Sequence, residues 1–255
     1  EAIADILREP SRWDLPCLWY DPIPVDRVLP LTQAFHWHEY DLTLYPLAGH
    51  TRYAVAIAFE ADGKRYLATG DQFQYGEPPY LNYVYQNRFQ LGDYRACAAL
   101  LRRLKPDTLL TGHWGAQPVT VSMVDDMECR AVDLDCLHHN LLADDVQGLG
   151  AGGIVARLEP YQCAAKSGEP FELEVEVQNP ILRPACASLA LIVPEGWRAE
   201  PDRLEIWLAV GNSSRACITV TPPQGVKCRR ARVAVDLSFG DRRFGQAAEA
   251  LIDVN

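Results

Sequence analysis

The spacing of apolar and polar residues changes several times along the chain, and each change predicts an element. Glu1 to Pro10 carries Ile3, Ile6 and Leu7 at helical spacing, which predicts a short amphipathic helix. Residues 11 to 34 lose any period: Trp13, Pro16, Trp19, Tyr20, Pro22 and Pro24 read as an irregular connection, with a short strand at Val25 to Leu31. From Asp41 the period is two, in Leu42-Thr43-Leu44-Tyr45, Tyr53 to Phe59 and Arg65 to Thr69. Asp62-Gly63 between the last two is a hairpin turn, because such a turn needs the positive φ these residues tolerate. A polar and aromatic loop, Gln72 to Asn82, follows, with Tyr75, Tyr80, Tyr83 and Tyr85 in and just beyond it. Asp93 is placed to cap a helix carrying Tyr94, Cys97, Leu101 and Leu104, which Pro106 ends. Thr108 to Thr111 reads as a buried strand. Val121 to Leu142 reads as a second helix, with Val124, Met127, Ala131, Leu134, Leu137 and Leu141 on one face.

Gly148 to Gly153 is the most linker-like stretch, so the expected organisation is a first domain at 1–147, a linker at 148–154 and a second domain at 155–255. In the second domain Phe171 to Val177 alternates strictly, as do parts of Ala187 to Val193, Arg215 to Val220 and Arg232 to Leu237, with Pro and Gly turns between. Short strands at this spacing predict an antiparallel β-sandwich. Glu172, Glu174 and Glu176 then form a solvated strand face, and Trp197 and Trp207 belong to the core.

Composition narrows the function. The chain has 255 residues, 48% of them hydrophobic, enough for two cores. A net charge of −10 and a pI near 5.1 argue against nucleic acid and anionic membrane as partners and favour a small-molecule substrate. No run is long enough for a membrane span and no leader is visible, which makes the expected location cytoplasmic, with secretion as the alternative. The eight cysteines show no Cys-x-x-Cys pair, so a zinc ribbon is not expected. They read mostly as buried thiols, with disulfides open among the last four. His138-His139 point apart on a helix and read as surface residues.

Candidate chemistry sits in three loops, each placing one good metal ligand after a glycine at a strand end: Gly49-His50-Thr51, Gly70-Asp71 and Gly112-His113-Trp114. Imidazole and carboxylate donors suit zinc, whose bound water becomes a nucleophile near neutral pH. A carboxylate between two such ions can bridge them. Tyr75, Tyr80 and Trp114 are the expected substrate contacts.

These three motifs, in this order, resemble the later metal motifs of the metallo-β-lactamase superfamily. The resemblance implies an α/β fold, part of an αββα sandwich, and a site for zinc, usually two ions. His50 would hold the first ion, Asp71 would bridge both and His113 would hold the second. The family's first signature, His-x-His-x-Asp-His, is absent; the nearest approach is His36-Trp37-His38-Glu39-Tyr40-Asp41. The resemblance therefore implies a partial domain whose first half lies before Glu1, and self-association through the sheet face left open. The implied activity is metal-dependent hydrolysis of an ester, thioester, amide or phosphodiester, incomplete in this chain. The alternative is a non-catalytic binding or structural protein. Leu158-Glu-Pro-Tyr161, Val177-Gln-Asn-Pro180 and Pro194-Glu-Gly-Trp197 resemble an immunoglobulin-like accessory module of bacterial hydrolases.

Overall fold

The computed structural model describes residues 2–14, 21–83, 90–141 and 155–255. It divides into two compact units: Asp26–Ala143, and Ile3–Val25 together with Asp144–Asn255. The predicted linker at 148–154, Pro16, Trp19, Tyr20, Tyr85 and Cys17 lie outside the described residues. Helix α1 (Ala2–Arg8) buries Ala4 and Ile6. Beyond it, Arg12 forms an ion pair with Glu159, and the Arg157 guanidinium lies 5.0 Å over the Trp13 ring.

Eight strands belong to the Asp26–Ala143 unit: β1 (Ala34–Trp37), β2 (Tyr40–Pro46), β3 (Val55–Ala61), β4 (Lys64–Gly70), β5 (Phe73–Gln74), β6 (Tyr80–Leu81), β7 (Thr108–Thr111) and β8 (Gln117–Pro118). One six-stranded sheet runs β1-β2-β3-β4-β7-β8, and β5 pairs with β6. The β3–β4 turn is the predicted one, with φ of 50° at Asp62 and 70° at Gly63. β4 and β7 are parallel neighbours, so Asp71 and Gly112 leave the sheet at adjacent C-terminal strand ends. Two helices, α2 (Asp93–Leu104) and α3 (Val121–Leu141), pack Tyr94, Cys97, Leu101, Met127 and Ala131 against Ala56, Leu67 and Leu109 on one face of that sheet. Burial there pushes the Cys97 thiol up to about 12.

In the other unit β9 (Ala156–Glu159), β10 (Gln162–Ala165), β11 (Phe171–Gln178), β12 (Ala185–Ile192), β13 (Arg198–Glu200), β14 (Arg203–Leu208), β15 (Ser213–Thr221), β16 (Cys228–Phe239) and β17 (Arg242–Val254) form two sheets. Their orders are β10-β17-β16-β12-β14 and β13-β15-β11-β9. Inward residues of both, among them Val175, Val177, Ile218, Val220, Leu189, Leu237 and Ile252, share one core, as a β-sandwich requires.

Several expectations are corrected. The αββα metallo-β-lactamase sandwich is not the architecture: such a fold needs two sheets face to face with helices on both outer sides. The described residues of the first unit hold a single large sheet with α2 and α3 on one face, and strand far outweighs helix among the described residues. Val25 to Leu31 forms no strand: most of its residues are exposed and it joins no sheet. Asp93 is not the cap of α2; Gly92, at φ 88°, takes that position, while the Asp93 carboxylate accepts from Gln90 N and pairs with Arg52 at 2.9 and 3.0 Å. Leu137 and Leu141 end α3 exposed, beyond the reach of the core. Trp197 is buried but Trp207 is 71% exposed, because it lies on the outer face of β14. The seven described cysteines are all unbridged, and only Cys97 is buried. Among the described residues no helix is long and apolar enough to cross a membrane.

Candidate functional site

The parallel pairing of β4 and β7 builds the site. It is the one parallel pair of a sheet whose other described pairs are antiparallel, and it sends two strands out of the ladder at the same edge. Gly70↔Thr111 is the last register pair, and Gly112 N donates to Gly70 O at 2.9 Å, so the next residue of each strand projects over the same edge. His113 Nε2 lies 3.1 Å from Asp71 Oδ2 in a half-exposed pair. Gly112 makes room for it: a Cβ at that position would stand 1.9 Å from Asp71 Oδ1. The Thr111 hydroxyl accepts from Trp114 N at 3.1 Å and donates to Trp114 O at 3.0 Å, fixing the turn that presents His113 and Trp114.

His50 sits on a different support. Its backbone N–H donates to Gln72 Oε1 at 3.2 Å, and Gln72 Nε2 donates to Ala48 O at 3.1 Å, so a buried glutamine ties the His50 loop to the residue after Asp71. A Cβ at Gly49, whose φ is 147°, would collide with that amide at 2.4 Å, which accounts for the glycine. His50 Nδ1 donates to Asn82 O at 2.7 Å, since a carbonyl only accepts; its proton therefore sits on Nδ1. Asn82 also donates from Nδ2 to Asp71 O at 2.7 Å and accepts from Gln74 at 2.8 Å. Asn82 thus fastens the His50 and Asp71 loops together.

The aromatic residues stand beside this edge. Tyr75 and Trp114, 62% and 43% exposed, bring their ring centroids to 6.0 Å at a tilt of 50°. Tyr80 is exposed and lies under the Arg130 guanidinium, 4.6 Å from its centroid. Arg130 Nη1 also reaches Pro78 O at 3.4 Å and Pro79 O at 3.3 Å, so α3 holds the loop that carries Tyr75 and Tyr80. Between that loop, the segment after Trp114 and the start of α3 lies a cleft of about 480 Å³, within the range of small-molecule sites. Tyr75, Glu77, Pro78, Gln117, Thr120 and Asp126 are on its walls.

Of the expected metal ligands, the structure brings Asp71 and His113 into contact, while His50 donates from Nδ1 to the Asn82 carbonyl and is not grouped with them. Among the described residues no group of three or more His, Cys, Asp or Glu is arranged to hold a metal ion. The expectation of a metal-binding cluster is corrected for the described residues: the edge offers one imidazole–carboxylate pair, a combined donor and acceptor for a polar ligand. His36 and His38 do not supplement it; His36 pairs with Asp41 at 3.0 Å on the β1–β2 hairpin and His38 sits in its turn at φ 51°. Sequence reading singled out Gly112 but missed Gln72, Asn82 and Arg130, whose roles depend on contacts made across the fold.

Comparison with known proteins matches the NPCBM-associated NEW3 domain of alpha-galactosidase to residues 165–239, inside the β-sandwich. No curated protein matches the chain. Similar solved structures include WR4, an MSP family member of C. elegans, with 7% identity, 40% of this chain and 96% of that one covered, and a TM-score of 0.30. A human CEP192 ASH/PapD-like domain shows 13% identity over 40% of this chain and 84% of its own, at a TM-score of 0.25. The Pseudomonas fluorescens alkylpurine DNA glycosylase AlkC, in complex with DNA containing an abasic site analog, shows 12% identity over 62% of this chain and 43% of its own, at 0.24. The metallo-β-lactamase resemblance is corrected: the family match is to the NEW3 domain, within the β-sandwich, and not to a metallo-β-lactamase.

Proposed function

We propose that the chain is a non-catalytic small-molecule-binding protein, with its cleft in the Asp26–Ala143 unit and its β-sandwich as an accessory module. The observation that carries this reading is the 480 Å³ cleft walled by Tyr75, whose exposed ring lies 6.0 Å from that of Trp114, the residue before the cleft-lining 115–118 segment. Exposed aromatic faces beside a concavity supply contact area at small entropic cost, and Gln117, Thr120 and Ser122 on its walls supply donors and acceptors that orient a polar group. The NEW3 match supports the accessory role of residues 165–239, since that family is named as an associated domain of a larger protein.

Intrinsic fluorescence, referenced to Trp114→Phe, across a panel of cationic, neutral and anionic small molecules tests the reading. A saturating ligand whose signal is lost in Tyr75→Ala supports it. A panel without any saturating member overturns it, and so does near-stoichiometric zinc that disappears in His50→Ala and His113→Ala.

A further inference from the structure

The cleft has a charge imbalance that bears on what it accepts. Among the described residues two carboxylates line it, Glu77 on the loop before Tyr80 and Asp126 on the first turns of α3, and no lysine, arginine or histidine does. A carboxylate on a helix is ordinarily relieved by a cation one turn away. Asp125, the neighbour of Asp126, has such a partner in Arg102 at 2.7 Å. Asp126 does not. Arg130, one turn further along α3, is directed instead to the carbonyls of Pro78 and Pro79 and to the Tyr80 ring. Among the described residues neither Glu77 nor Asp126 has an ion pair. Tyr75, on the same wall as Glu77, offers an exposed ring to the cavity.

We propose that this cleft binds an organic cation, a primary or quaternary ammonium compound, between the Glu77 and Asp126 carboxylates with its alkyl groups against Tyr75. The inference rests on the small-molecule reading above and adds the class of ligand. An ammonium group is attracted to both carboxylates and to the negative face of the ring, and an aromatic wall replaces the water such a group gives up. An anion meets two like charges with no cationic side chain among the described lining residues. The overall charge of −10 works in the same direction, raising the local concentration of cations around the protein. Arg130 becomes a positioning residue: by holding the Pro78–Tyr80 segment it sets the wall that bears Glu77 and withholds its own charge from Asp126.

Titration calorimetry of the full chain with tetramethylammonium chloride at constant ionic strength, with glucose and citrate as neutral and anionic probes, tests this. One tetramethylammonium per chain is expected, with both other probes silent. Glu77→Gln and Asp126→Asn each weaken binding by roughly 3- to 10-fold, as the loss of one charge near a surface predicts, and Tyr75→Ala weakens it further. Both carboxylates are exposed, so unchanged thermal melts separate lost binding from lost folding. Glucose or citrate binding that depends on Tyr75, with tetramethylammonium silent, overturns the cation and leaves the small-molecule reading standing. Tetramethylammonium binding indifferent to both acidic substitutions overturns the site, and silence of all three probes overturns the proposal, leaving the wider panel to decide the parent reading.

Discussion

The two large sheet systems of this protein solve the same packing problem differently. In the β-sandwich every inward row meets another sheet: β11 and β12 alternate buried and partly exposed residues along most of their length, and Val175, Val177, Ala187, Leu237 and Phe239 are fully buried. In the six-stranded sheet one face is covered by α2 and α3, which bury Ala56, Leu67 and Leu109. The opposite face carries the register row Leu44, Ile57, Ala68 and Leu110, with Phe59 stacked on Tyr66 at 5.3 Å, and all of these are only half-buried. The sandwich takes its stability from two-sided burial. The other sheet takes it from one side and keeps its strand ends for the site.

That contrast predicts the largest effects. Phe239→Ala in the sandwich core is expected to cost about 3–5 kcal/mol, and Leu67→Ala, under the helices, about 2–5 kcal/mol. Ile57→Ala, one strand away on the other face, removes a similar group from a half-wet surface and is expected to cost about 1 kcal/mol, in keeping with the smaller apolar area it covers. Denaturant titrations read with a probe for each unit measure the three, since two units need not melt together. An Ile57→Ala cost equal to that of Leu67→Ala would show that the second face is covered after all and abolish the distinction.

The next effect compares two asparagines that organise loops. Asn179 is fully buried; its Nδ2 donates to Arg183 O at 2.9 Å and Leu208 O at 3.2 Å, and its Oδ1 accepts from Ile181 N at 2.9 Å. Asn82 plays the same part at the site but is half-buried. Removing a buried side chain leaves backbone groups unsatisfied, so Asn179→Ala is expected to cost about 1–3 kcal/mol. Water replaces the lost partners of Asn82 more readily, so Asn82→Ala costs about 1 kcal/mol or less and shows itself as a changed His50 ring environment by NMR. An Asn82→Ala loss as large as that of Asn179→Ala would mean that the site loops are part of the core.

What was legible in the sequence follows the same division. The sandwich strands were readable because a sheet with one buried face writes its period directly into the chain, as Phe171 to Val177 does. Both helices of the first unit were readable from Tyr94-Cys97-Leu101 and Val124-Met127-Ala131. The architecture around them was not, because Gly-His and Gly-Asp at strand ends report only a local turn, and many folds place such turns at a sheet edge. The pairing of Asp71 with His113 was legible as a juxtaposition, since both follow strands that can lie side by side. The roles of Gln72, Asn82 and Arg130 were not: each works through backbone carbonyls or amides distant in sequence, and backbone partners leave no residue-type signature.

The smallest effect concerns pH, and it samples one carboxylate from each unit. The Arg65 backbone N–H, at 2.8 Å, and then its guanidinium hold Asp107 below the usual carboxylate range at the start of β7. In the sandwich, hydrogen bonds from the Arg243 guanidinium hold Asp236 down. A carboxyl group whose folded pKa is depressed adds stability that is complete above its unfolded value, near 4, and that disappears as pH falls through the folded value. Thermal melts between about pH 3 and 7 should therefore show each unit losing stability on the acid side, with Asp236→Asn and Asp107→Asn flattening that loss in their own units alone. Asp107→Asn keeps an oxygen to accept from Arg65 N and so retains part of the wild-type stability at neutral pH, whereas Asp236→Asn loses the charge on which its pairing rests. An acid limb unchanged in both variants would assign the pH dependence to other carboxylates. A limb that flattened in both units after either substitution would show that the two units melt as one.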